Sequence, residues 1–313
     1  MTRNQRIVAS SVVAVALVVA LIARWDAGRS HVRAAASTTT STTFAPTATS
    51  MTTSTTTTST TGPETTTTRA HPPSTASLPD TDPTTVAPSV PRHGVAGAVV
   101  AIDPGHNETN YLHPDEINQP VFIGNGTKAC DTTGTATDAG YSEAAFNTDV
   151  AARVRDLLSA DGATVVLTRD ASTPWGPCVD QRARIGNDAH ADAALSIHAD
   201  GGPSDGRGFD VIQPAPIAGY NEAIVAPSHD LALALRAAYE AATGLPRSTY
   251  AGTDGLSTRD DLGGLNLSTV PKVFIETGNM RNADDAALLS DAGFRERVAA
   301  GIVAGIEAFL TGG

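Results

Sequence analysis

From residue 94 onward, short continuous apolar runs alternate with longer segments whose apolar residues recur at helical spacing. Residues 96–102 form an unbroken apolar run, the pattern of a strand covered on both faces. Residues 164–168, 193–198, 209–212 and 273–276 predict further strands. Between them, residues 142–158 place Phe146, Val150, Val154, Leu157 and Leu158 on one helical face. Ser142 is positioned as its N-cap, and Asp161-Gly162 as its stop. Helices are also predicted over 179–190, over 229–242 (ended by Gly244 and Pro246), and over 283–310 as one or two closing helices. Strands alternating with helices predict an α/β fold, with a mostly parallel central sheet and helices on both faces.

Ahead of residue 94 the pattern changes twice. A basic start, Met1 to Arg6, precedes the apolar run 7–23, and the small-residue patch Ala34-Ala35-Ala36 follows. Residues 1–36 therefore read as a signal peptide or as an uncleaved signal anchor that engages the membrane. Either reading exports the remainder to the cell envelope. Residues 37–68 hold 19 Thr and 5 Ser. Such a composition buries too little apolar surface to offset the entropy of ordering its backbone. Prolines from Pro72 to Pro91 extend it as a stiff spacer, so 37–93 is predicted to be a disordered stalk, either bare or O-glycosylated. A single catalytic domain is assigned to 94–313.

Charge narrows the function. Residues 94–313 carry 14 Lys and Arg against 29 Asp and Glu, a formal charge of −15. Phosphate would be repelled, which excludes nucleic acid as a partner. Both cysteines, Cys130 and Cys178, lie in this part. In an exported chain they predict a disulfide, worth roughly 4 kcal/mol in the chain-entropy model. A zinc thiolate pair is disfavoured, because neither cysteine has a close metal-binding spacing.

Three strands run straight into polar residues: Asp103-Pro104-Gly105-His106, Ser196-Ile197-His198-Ala199-Asp200 and Glu276-Thr277-Gly278-Asn279. Ligands of such sheets bind beyond the carboxyl ends of the strands, where His106, His198 and Glu276 all fall. Two histidines and a carboxylate make a frequent zinc set with an open position for water, and a further carboxylate can move protons. Glu143, at the start of a predicted helix, reads by itself as an acidic first-turn residue. Asp103 reads equally as a turn former or as the acceptor for a ligand-histidine N–H. His31, His71, His93, His113 and His229 read as surface residues, and His190 as a partner of a helix C-terminus.

In this order the four motifs, including Ser142-Glu143, resemble the zinc-dependent N-acetylmuramoyl-L-alanine amidases of the third type. The similarity runs from Val99 to Leu310. Thr168-Arg169-Asp170 resembles the family's strand-end arginine. The paired cysteines and the stretch from Asn279 to Asn282 are most similar to exported actinobacterial members. The resemblance implies one Zn²⁺ per chain, held by His106, Glu143 and His198, with Glu276 as the catalytic carboxylate. It implies peptidoglycan or muropeptides as the partner, and a monomeric catalytic domain cutting between N-acetylmuramic acid and L-alanine.

Two features depart from the family pattern. The stalk stands where many members carry wall-binding modules. The segment 107–141 is long, and its glycines predict a mobile flap or hairpin over the cleft, anchored largely by the disulfide. A zinc carboxypeptidase or endopeptidase acting within the stem peptide is the alternative enzyme; a carboxypeptidase would need an arginine clamp for the terminal carboxylate, for which Arg169, Arg207, Arg259 and Arg281 are available. A catalytically silent wall-binding regulator would be expected to lack a ligand or Glu276, and none is lost.

Overall fold

The computed structural model describes residues 94–312. The signal segment expected over 1–36 and the stalk expected over 37–93 lie outside the described residues. The chain runs through β1 (Val99–Pro104), α1 (Pro114–Ile117), β2 (Pro120–Phe122), β3 (Thr127–Ala129), α2 (Glu143–Ala160) and β4 (Thr164–Leu167). It continues through α3 (Val179–Asp188), β5 (Ala193–Asp200), β6 (Asp210–Pro214), α4 (Val225–Thr243) and β7 (Leu256–Arg259). The last elements are α5 (Gly263–Asn266), β8 (Lys272–Asn279), α6 (Ala283–Ser290) and α7 (Ala292–Thr311).

The central sheet has six strands in the order β4-β1-β5-β8-β6-β7. β4, β1, β5 and β8 run parallel, whereas β6 pairs antiparallel with β8 and carries β7 alongside it. This is the mostly parallel sheet that the alternating pattern predicts.

Strand alternation divides the chemistry between the two faces. Val100, Ile102, Leu195, Ile197, Val273 and Ile275 point to one face, into a core with Phe146 and Val150 of α2, Leu235 and Tyr239 of α4, and Val298 and Ile302 of α7. Each such side chain contributes about 1.5–3 kcal/mol on burial. Gly301 and Gly305 let α7 approach α4 closely, since a Cβ at 305 would lie 2.6 Å from the Leu235 Cα. The opposite face, covered by α3 and α5, has a smaller apolar patch around Ala101 and Ala194. Farther along the same strands that face turns polar, with Asp103, Ser196, His198 and Glu276.

Local signals explain most element ends. Ser142 Oγ accepts the Ala145 N–H at 3.2 Å, capping α2 as predicted. α4 starts at Val225, ahead of the predicted 229, because Pro227 in its first turn needs no N–H donor there. The closing segment is two helices, divided where Asp291 caps α7 through the Phe294 N–H at 2.8 Å.

The segment 107–141 corrects the expectation of a mobile flap held mainly by the disulfide. It contains α1 and a β2–β3 hairpin. Cys130 and Cys178 are bonded, but Arg182 also pairs with Asp131 at 2.9 Å. Asn110 donates to Asp131 Oδ2 at 3.0 Å and to the Thr132 carbonyl at 2.8 Å. Asn266 donates to the Ile123 carbonyl at 2.9 Å. Buried polar contacts therefore share the anchoring with the disulfide.

Candidate metal centre and active site

β1 delivers His106 through a tight turn. The Gly105 N–H donates to the Ile197 carbonyl at 3.0 Å, and His106 adopts a positive φ of 57°. A Cβ at Gly105 would stand 2.0 Å from the His198 ring, so glycine is required for the two histidines to approach. Glu143 opens α2, and its N–H donates to the Thr135 carbonyl at 2.9 Å. Its Oε1 lies 2.8 Å from His198 Nδ1 and 3.1 Å from His106 Nε2. Donor atoms of His106, Glu143 and His198 all fall within 4.8 Å of one another.

The surroundings orient these groups. His106 Nδ1 is 3.1 Å from the Thr132 carbonyl and 3.8 Å from Asp131 Oδ1. With that nitrogen donating, the Nε2 lone pair points into the cluster. The His198 ring stacks on Phe274, with centroids 3.9 Å apart. Glu143 Oε2 accepts the Thr135 N–H at 3.0 Å, and Oε1 accepts the Ala199 N–H at 3.3 Å.

Burial works against the Glu143 charge, yet hydrogen bonds from His106 and His198 hold its pKa below the ordinary carboxylate range. Burial also opposes charge on both imidazoles. It prevails at His198, whereas Glu143 and Asp131 raise His106. Two imidazoles and an ionised carboxylate, converging without a protein cation among them, fit a divalent ion with an open coordination position.

Glu276 stands beside this cluster. It is paired in register with His198 across β5 and β8. Its Oε2 is buried without a hydrogen-bond partner. Burial, with the negative charges of Glu143 and Asp200, pushes its pKa well above the ordinary range. It lines a cleft of about 540 Å³ that also contains His106, Glu143 and His198. An unpaired carboxylate with high proton affinity in such a cleft suits acid–base chemistry.

Beneath the cleft lies a buried ionic layer that the sequence left largely unread. Asp103 accepts from Thr168 Oγ1 and Ser196 Oγ, both at 2.6 Å, from Arg182 at 2.9 Å and from Lys272 at 3.2 Å. It reaches no histidine, which corrects its reading as the imidazole acceptor; the Thr132 carbonyl has that position. Arg182 also donates to the His106 carbonyl at 2.9 Å. Arg169 donates to the carbonyls of Pro104 and Gly105 at 2.9 Å and of Ala144 at 3.4 Å, tying the His106 turn to the start of α2. Burial and the nearby Arg182 lower its pKa to about 10, so it stays charged at neutral pH.

The other candidates separate cleanly. Arg207 pairs with Asp284 and Asp285, and Arg281 with Asp138. Arg259 is the one of the four candidate clamp arginines that lines the cleft. His113 pairs with Glu116, and His229 contacts Gln213. His190 lies two residues beyond the end of α3, outside the cluster.

Known proteins share this fold. Residues 100–308 match the family described as N-acetylmuramoyl-L-alanine amidase. The chain belongs to that family. The amidase is 42% identical over 217 residues to the N-acetylmuramoyl-L-alanine amidase Rv3717 of Mycobacterium tuberculosis, covering 69% of this chain and 88% of that protein. Its fold is similar to the crystal structure of the amidase Ami1 from Mycobacterium smegmatis, with a TM-score of 0.66, 41% identity, and coverage of 70% of this chain and 100% of that one. The Ami1 structure from Mycobacterium abscessus gives a TM-score of 0.65 at 43% identity, covering 69% of this chain and all (100%) of that one. The amidase is accordingly a peptidoglycan hydrolase.

Proposed function

We propose that the amidase acts with one Zn²⁺, held by His106, Glu143 and His198, and with Glu276 as its acid–base group. The observation that carries this reading is the convergence of three donor atoms within 4.8 Å, beside a carboxylate paired in register with one of them. Zinc in such a site supplies a Lewis acid and lowers the pKa of a coordinated water towards about 7.

The protein's own groups do the rest. The carboxylate of Glu276 takes a proton from the attacking water as the new C–O bond forms at the lactyl carbonyl. The same carboxyl then passes that proton to the nitrogen of L-alanine as the C–N bond breaks, since an anionic amine is too poor a leaving group. The high proton affinity of Glu276 favours holding the proton between the two transfers. Thr132 and Thr135 keep His106 and Glu143 oriented through both steps.

The Cys130–Cys178 bond supports an exported enzyme. Residues 1–36 then serve as signal or anchor and 37–93 as the stalk of a monomeric catalytic domain. No helix of the described residues is long and apolar enough to cross a membrane. Elemental analysis tests the metal assignment: we expect one zinc per chain, largely lost in His198→Ala. Full occupancy in that variant would contradict it.

A further inference from the structure

The catalytic domain is strongly acidic, at −15 over residues 94–313, so a cation at its substrate cleft stands against the field of the whole surface. Lys128, Arg182 and Arg259 line the cleft. Arg182 is committed to Asp103 and Asp131 in the buried layer. Lys128 and Arg259 share one carboxylate. Asp261 accepts from Arg259 Nε and Nη2, both at 2.8 Å, and from Lys128 Nζ at 2.7 Å. Two cations share this one anion, so the Lys128–Arg259–Asp261 group by itself carries a net positive charge. All three side chains are solvent-accessible, at 44% for Lys128, 42% for Arg259 and 43% for Asp261. The two-point contact with Asp261 fixes the guanidinium plane and leaves Nη1 with no hydrogen bond to the described residues.

The sheet order gives this group a side. His198 on β5 and Glu276 on β8 are neighbours, followed by β6 and then β7, which ends in Arg259. The metal-binding cluster therefore lies on the β1–β5 side of Glu276, and Arg259 on the opposite side. The group protonated by Glu276 is the departing amine. On that reading, the side of Glu276 away from the metal cluster, towards β7, is the one open to the peptide attached to that nitrogen. Beyond its first alanine, a stem peptide carries free carboxylates.

We propose that Arg259, held in place by Asp261 and Lys128, binds a free carboxylate of the stem peptide beyond L-alanine and makes the amidase favour that acid over its amide. This rests on the reading of Glu276 as proton donor to the leaving nitrogen. A guanidinium edge is suited to carboxylate recognition, and an amide in the same place gains no ionic attraction.

The test measures kcat/KM of the zinc-loaded enzyme on muramoyl tripeptides, each carboxylate being free or amidated in turn. The wild type is expected to prefer the acid of one pair by at least tenfold. In Arg259→Gln that ratio should fall to within threefold, mainly through KM, and Arg259→Lys should restore part of it. Asp261→Asn, which frees the guanidinium, should give an intermediate ratio and serves if the arginine variants do not fold. A wild type without acid preference, or a ratio retained in Arg259→Gln, overturns the subsite. A wild type that cleaves none of the substrates, or cuts within the peptide, overturns the catalytic reading itself and this subsite with it.

Discussion

His198 and Glu276 stand opposite each other on adjacent parallel strands, so one register of β5 against β8 sets the His106–Glu143–His198 cluster beside the carboxylate proposed for acid–base work. In the row beneath them the same register sets Ser196 opposite Phe274, and the β1–β5 register sets Asp103 opposite Ser196. A one-residue slip would turn all of these side chains to the other face. The site is thus specified by strand pairing, and loops only complete it.

Gly134 shows how closely the loop is fitted. It has a φ of 72°, and a Cβ there would meet the His106 ring at 2.7 Å and Glu143 Oε2 at 2.8 Å. Gly134→Ala should therefore weaken zinc binding by at least tenfold, with the fold retained. Metal-competition titration checks this; unchanged zinc affinity would show that the loop is not part of the cluster's support.

Arg182 neutralises two buried carboxylates, Asp103 and Asp131. Removing one partner of a buried ionic group typically costs about 3–5 kcal/mol, because the other charge is left uncompensated. Arg182→Met should lower stability by about that amount in denaturant titrations. A loss below about 1 kcal/mol would mean that Lys272 and solvent compensate Asp103 and Asp131 without it.

Glu276 gives a pH signature in the metal-free protein. Burial raises its folded pKa above the ordinary 4.5, with Glu143 and Asp200 adding to the shift. Below that ordinary value both folded and unfolded forms are protonated, and the group is neutral towards stability. As pH rises beyond it the unfolded chain ionises first, so the folded state is penalised until Glu276 itself titrates. Glu276→Gln removes the penalty. The variant should match the metal-free wild type at about pH 4 and be the more stable one at about pH 7. Denaturation at the two pH values measures it; an equal difference at both would contradict the shift.

The parts of the site carried by strands were legible because an apolar run ending in a polar residue is a strong local signal. His106, His198 and Glu276 follow from it directly, and Glu143 became readable once the motif order was recognised. The supports did not. Thr132, Gly134 and Thr135 act through backbone groups and space, which have no periodicity. Lys272 opens β8, yet only the fold shows that its ammonium meets Asp103. β7 escaped notice because Leu256-Ser257-Thr258-Arg259 is a polar edge strand without alternation. The segment 107–141 read as mobile because Asn110, Asp131 and Asn266 stabilise it, and polar anchoring leaves no apolar pattern.

The central claim is that zinc-supported hydrolysis at the muramoyl–alanine amide depends on Glu276 as acid–base group. Mass spectrometry of muropeptides incubated with the zinc-loaded enzyme tests it most directly. The account predicts free stem peptides beginning at L-alanine. It also predicts that Glu276→Gln, with its zinc content intact, releases them about 10²–10⁴-fold more slowly. Fragments cut within the stem peptide, or near-normal release by the zinc-loaded variant, would contradict it.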